Sequence, residues 1–329
     1  MNIREIRQLK QTAAQRLAAA PLAKNIVFLY GGISLGLSAL VTVVNYVTGL
    51  EMSNYGGLSN IGTRSMLSAI QSFLPMIQSL VIMALEFGYL NAALRISREQ
   101  YASPNSLRMG YQRFWPMLRL NLMQGLIYML ITMVSAYLAI QIFLVTPLSR
   151  EVMTLASGLM GLADPIAAMD EATYQAISTA ILPLFPIWGG IFLLLAVPIF
   201  YSFRLANYLL IDNPQMRVGM LLRESSRLMK RNRFALFHLD LSLIWYFLLT
   251  ALAAAAGYGD LLLPMLGITL PFSETVGYFL FYGIYLVLEL AIVYFFLNPV
   301  SVTYALAYQS LCPEKKEDNS VVLGNIFQM

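Results

Sequence analysis

Six stretches of this sequence stay apolar over a length that crosses a hydrocarbon layer, and no other feature constrains the fold as tightly. A helix rises 1.5 Å per residue, so a layer of about 30 Å takes roughly 20 residues. The stretches are residues 26–47, 66–94, 117–145, 181–211, 235–256 and 276–311. Composition points the same way. Of 329 residues 58% are hydrophobic and 12% charged, against about 25% charged in soluble domains, so a globular surface cannot be covered with polar groups. The expected fold is all-α, a polytopic membrane helix bundle of six transmembrane helices with amphipathic helices on its cytoplasmic side. Its expected parts are a basic amphipathic N-terminal segment (1–25), the six-span domain (26–311) and a cytoplasmic tail (312–329).

The fourth stretch contains Pro183, Pro186 and Pro198, and the last is too long for one straight span. A break is expected at Asn298 and Pro299, because proline removes a backbone donor and crowds the preceding turn. The remainder would then run along or beyond the cytoplasmic interface. The first stretch is read as a retained helix. Its apolar run exceeds the roughly 7 to 15 residues of a cleaved leader, and no small-x-small site follows in NYVTGLEMS. The single Cys312 offers no internal disulfide.

Lys and Arg stay on the cytoplasmic side of short loops. With six spans, 19 of the 21 cations fall on the side of the N-terminus, leaving only Arg64 and Arg150 on the other. Omitting or adding a span would move every later loop to the wrong side. The expectation is therefore a cell-membrane protein with both termini in the cytoplasm. Residues 216–233 read as an amphipathic helix, with Val218, Leu221, Leu222 and Leu228 toward one face and Arg223, Arg227 and Lys230 on another. Together with Arg231 and Arg233 these cations are candidates for contact with anionic lipid headgroups, each worth about 1 kcal/mol near the surface, or with a membrane-protein partner or second copy. No basic groove interleaved with aromatics points to nucleic acid.

Residues 32–36 read GISLG, the pattern of a nucleophile elbow, but that motif needs a strand before it and a histidine base. Ser34 lies inside an apolar helix pattern and the sole histidine is His238. Gly32 and Gly36 are instead expected to let another helix approach closely. None of the five lysines follows a glycine, so there is no P-loop. No metal-ligand spacing occurs, and no cofactor is expected. The informative residues are ionisable ones inside spans, which are costly in lipid and face the bundle interior: Glu86, Asp240 and Glu289. Glu289 continues a stripe of Tyr278, Tyr282 and Tyr285 at i, i+4, i+7 and i+11, and Gln71 and Gln78 share a face of the second span. Two readings stay open, a polar pathway and interhelical hydrogen bonds that hold the bundle. MLRLNL at 117–122 and LFHLDL at 236–241 also suggest a parallel duplication of spans two and three onto four and five.

Three stretches resemble a known family. REIRQLKQTAAQRL is similar to its basic opening helix, LLLAVPIFYSFRLANYLLIDNP to its proline-bearing fourth span, and SSRLMKRNRFALFHLDLSLIW to its most specific block. The family is the bacterial integral-membrane proteins grouped as domain-of-unknown-function family 975. The chain departs from it at Arg231 and Ile199, where the family carries glycine, and lacks a glycine before Trp245. The resemblance implies a six-helix bacterial inner-membrane protein and supplies no reaction or substrate. The function expected is that of a non-enzymatic accessory or scaffold protein of the cell envelope, with a secondary transporter or channel using Glu86, Asp240 and Glu289 as the alternative.

Overall fold

A computed structural model describes residues 3–54, 61–147, 149–150, 152–154, 175, 179, 181–265, 267–268 and 271–312. Among these 88% are helical and none is in a strand. Most of the outer segment 147–180, with Asp164, Asp170 and Glu171, and the tail beyond Cys312 lie outside the described residues. In chain order the helices are α1 (Ile3–Ala18), α2 (Ala23–Asn54), α3 (Ile61–Ser97), a 3-10 turn (Pro104–Arg108), α4 (Met109–Gln112), α5 (Phe114–Val145), α6 (Leu184–Phe203) and α7 (Ala206–Asp212). They continue with α8 (Val218–Met229), α9 (Arg233–Ser242), α10 (Ile244–Gly257), α11 (Gly259–Met265), α12 (Glu274–Ile292), a π-turn (Val293–Leu297) and α13 (Asn298–Leu311).

Five stretches are long and apolar enough to cross a membrane: Ala23–Glu51, Ser65–Ser97, Phe114–Val145, Leu184–Asp212 and Thr275–Leu311. A sixth is reached if α9 and α10 count as one span, because they bend by 62° at the break between them. The bend lies at Leu243, whose backbone (φ −107°, ψ 13°) leaves the helix and donates to the carbonyls of Asp240 and Leu241. This tightens the last turn of α9. LFHLDL therefore runs into a sharp bend, whereas MLRLNL lies within the uninterrupted α5, so the suggested duplication does not extend to the course of the chain.

The chain forms two compact units. One is drawn from Met1–Met117, Leu205–Arg217 and Lys230–Met329, the other from Leu118–Arg204 and Val218–Met229. In the first, a hydrophobic core gathers Ala13 of α1, Ile26 and Val27 of α2, Ala92, Ala93 and Ile96 of α3, and Val302 and Leu306 of α13. These positions recur at helical spacing and are mostly small or β-branched, which lets helices approach closely. α3 ends without the usual glycine: Glu99 adopts φ 58°, while the Gln100 amide bonds the Arg95 carbonyl at 2.9 Å. A left-handed non-glycine residue costs about 1–2 kcal/mol. The Glu99 carboxylate also meets Arg16 of α1 in an ion pair.

Two expectations are corrected. The last helix does not break at Asn298 and Pro299 but runs through a π-turn into α13. The wider turn suits a proline that has no amide to bond back, and places Pro299 in the first turn of a renewed α-helix, where it is tolerated. Beyond that turn α13 buries Val300, Ser301, Val302, Thr303, Ala305, Leu306, Ala307 and Tyr308. Finally, α2 makes its close approach at Gly31, where a Cβ would come within 2.8 Å of Val293; nothing lies within 4 Å of that position at Gly32 or Gly36. One residue on a helix is a 100° turn, so Gly32 and Gly36 face away.

In the second unit α8 packs against α6, and Ser225 donates to the Ser202 carbonyl at 2.8 Å. Its buried side is Leu221, Leu222, Ser225 and Met229, while the predicted Val218 and Leu228 stay partly exposed. The helix predicted over 216–233 stops at Met229. Asn232 has left helical geometry (φ −115°, ψ 3°), as suits a poor interior helix former.

Candidate functional site

The first unit contains a polar row along α12. Ser273 starts that helix by accepting the Val276 amide at 3.4 Å, an N-cap of the usual kind. From there Tyr278, Tyr282, Tyr285 and Glu289 recur on one face. Tyr278 and Tyr282 stack with centroids 6.2 Å apart, and Tyr282 and Tyr285 follow at 5.9 Å. The stripe meets a second one on α2, made of Tyr30, Ser34, Ser38, Thr42, Asn45 and Tyr46. Thr42 donates to the Tyr282 hydroxyl at 3.0 Å, and Tyr46 donates to Thr275 at 2.7 Å and stacks on Tyr278 at 5.5 Å. Small residues bring the end of α10 and the start of α11 up to the same helix. A Cβ at Gly257 would fall 2.9 Å from Tyr285 and one at Gly259 2.5 Å from the Phe281 ring.

At the end distant from the N-terminus the row opens into a cavity of about 1100 Å³ lined by Asn45, Tyr46, Asp260, Phe272 and Tyr278 among others. At its other end stands Glu289, whose Oε2 is buried and has no hydrogen-bond partner among the described residues. Tyr30 of α2 and Tyr246 of α10 each lie within electrostatic reach of both Glu289 and Glu86. Glu86 itself is on an exposed face of α3. The structure thus brings two of the three predicted carboxylates to one group of tyrosines.

Asp240 is separate: it accepts a hydrogen bond from Tyr304 of α13 at 2.5 Å. Gln78 donates to Ser38 at 2.8 Å and Gln71 to the Asn45 carbonyl at 3.2 Å, so both tie α3 to α2. Ser34 lies within α2, with no strand before it. The His238 Nδ1 is engaged at 2.7 Å with the Phe234 carbonyl. Arg223, Arg227, Lys230 and Arg231 are exposed and Arg233 partly so, with Arg227 donating to Glu224 at 2.7 Å. Among the described residues no group of three His, Cys, Asp or Glu side chains is placed to hold a metal ion.

The sequence pattern reached the α12 stripe and missed its partner. The α2 residues also recur at nearly every fourth position, but hydroxyls in apolar helices can bond their own backbone, as Thr48 does to Val44 at 2.9 Å. Spacing alone therefore does not separate them from inert positions. Asp260 and Tyr246 had no such pattern to mark them.

Long apolar helices with a polar row among them fit a multi-pass α-helical membrane protein. The chain belongs to the family described as protein of unknown function (DUF975), whose model matches residues 1–315. Comparison with curated proteins and with solved structures finds no match.

Proposed function

We propose that this chain is a secondary transporter or channel of the bacterial cytoplasmic membrane, non-enzymatic, with both termini in the cytoplasm. The observation that carries the reading is Glu289, an intramembrane carboxylate with one oxygen buried and unpartnered among the described residues. A carboxylate kept only to hold helices together would be expected to have its acceptors satisfied, since each unsatisfied one is costly in lipid. Glu289 instead ends a row of hydroxyls that starts at an open cavity. Such a row suits proton movement along its hydroxyls and carboxylate.

The test uses proteoliposomes loaded with a pH-sensitive dye and energised by a potassium diffusion potential. Wild-type protein is expected to admit protons faster than protein-free vesicles, and Glu289→Gln to fall to their rate, with Glu86→Gln slower than wild type. A wild-type rate equal to the protein-free rate removes the reading.

The exposed cations Arg223 and Arg227 of the second unit, and Lys230 and Arg231 of the first, favour a second role, in contact with anionic headgroups or an envelope protein partner. Replacing these and Arg233 by Gln is expected to remove partners that co-purify in polymer nanodiscs and to lower the anionic-lipid share. Unchanged protein and lipid content would exclude it.

A further inference from the structure

We infer that the cavity between α2, α11 and α12 is a binding site for a lipophilic organic cation. Three features of its wall converge on that class. Its charged lining residue is Asp260, and no Lys or Arg lines it among the described residues. Two of its hydroxyls, Thr42 and Tyr46, are spent as donors to Tyr282 and Thr275 and so offer an anion no free proton. The rest of the wall is aromatic and aliphatic, with Phe272, Tyr278, Leu261 and Pro264. Aromatic faces attract a desolvated cation through the ring quadrupole and also bury its apolar body.

One feature opposes this assignment, because the start of α12 lies beside the cavity and helix N-termini favour anions. Ser273 already engages the Val276 amide there, and Asp260 contributes a full charge against the partial charge of the helix. The balance favours a cation. The volume of about 1100 Å³ is at the upper end for small-molecule sites and suits a bulky cation better than a metal ion or ammonium.

As the solute of a transport path, the cation rests on the function proposed above; as a ligand it does not. The probe is tetraphenylphosphonium, titrated against the full chain in nanodiscs with protein-free nanodiscs as baseline. Tetraphenylborate serves as a control of the same shape and opposite charge. Saturable binding of the cation is expected, with no saturable binding of the borate. Asp260→Asn is expected to weaken it by about tenfold. Leu261→Trp, at a position 61% exposed, is expected to weaken it by filling the cavity. Equal binding of both probes, or binding indifferent to both substitutions, overturns the site. The two readings fail separately. Cation binding without proton movement leaves the site and removes transport, while proton movement without cation binding leaves the path and removes the site.

Discussion

A Cβ at Gly110 would fall 1.7 Å from the Ala84 carbonyl oxygen, and one at Gly88 would fall 2.2 Å from that of Leu107. Both obstacles are backbone, which cannot turn aside as a flexible side chain can. Gly88→Ala and Gly110→Ala are each expected to cost about 3 kcal/mol or more, read as a lowered midpoint in thermal unfolding of the detergent-solubilised protein. Gly32→Ala and Gly36→Ala, with nothing within 4 Å, are expected to stay within about 0.5 kcal/mol of wild type. The sequence displays these glycines alike, and the four-residue spacing of Gly32 and Gly36 even suggested the wrong pair. What separates them is the element lying opposite, which is a tertiary property with no local signal. Glu289 and the tyrosines Tyr282 and Tyr285 were legible for the opposite reason, since a period of 3.6 puts them on one face whatever packs there.

Among elements, the firmest polar tie of the first unit joins α3, α7 and α13. Arg98 donates to both oxygens of Asp212, each at 2.8 Å, and Tyr308 adds a third bond at 2.8 Å. Tyr308 also stacks on Tyr208 of α7 at 5.2 Å. Burial by itself would lower the Arg98 pKa, but its hydrogen bonds to Asp212 and that residue's charge reverse this and hold it above the ordinary value. Asp212 is 6% exposed and Arg98 27%. Removing the acid strands a largely buried guanidinium, so Asp212→Ala is expected to cost about 3 kcal/mol, the low end for a broken buried pair because Arg98 keeps some solvent. The paired change Arg98→Met with Asp212→Leu should recover most of that loss, and a double-mutant cycle on unfolding midpoints reads the difference. Equal losses in the single and paired variants would show that packing, and not the ion pair, holds the three helices. Arg98 and Asp212 are 114 residues apart. The charge count placed both on the same side of the membrane and could say nothing of their pairing. The π-turn was illegible in the same way, because Pro299 signals a disrupted helix without saying whether the chain turns away or widens by one bond.

For the whole molecule, contacts inside the first unit favour counting the bent pair as a sixth span. Tyr308, at the end of α13, meets Asp212 and lies at the same end of the bundle as Arg98. α12 begins at the opposite end, where Gly277 comes close to Asp260 and Phe272. The chain must therefore pass from Asp212 to Asp260 across the bundle, and of the helices between them only α9 and α10 belong to the first unit. α10 alone has 14 residues and spans about 21 Å, short of a hydrocarbon layer of about 30 Å. α9 supplies the rest from the near end, where the Ser242 carbonyl accepts Lys10 of α1 and Asp240 accepts Tyr304. Read as one broken span, the bent pair brings the count to six. Labelling tests this directly. In a Cys312→Ser background, Tyr258→Cys, at a position 63% exposed, and Lys230→Cys are each treated with a membrane-impermeant maleimide in right-side-out vesicles. With the N-terminal end cytoplasmic, Tyr258→Cys is expected to label from outside and Lys230→Cys only after permeabilisation. A re-entrant α9 and α10 would instead leave both cysteines on one side.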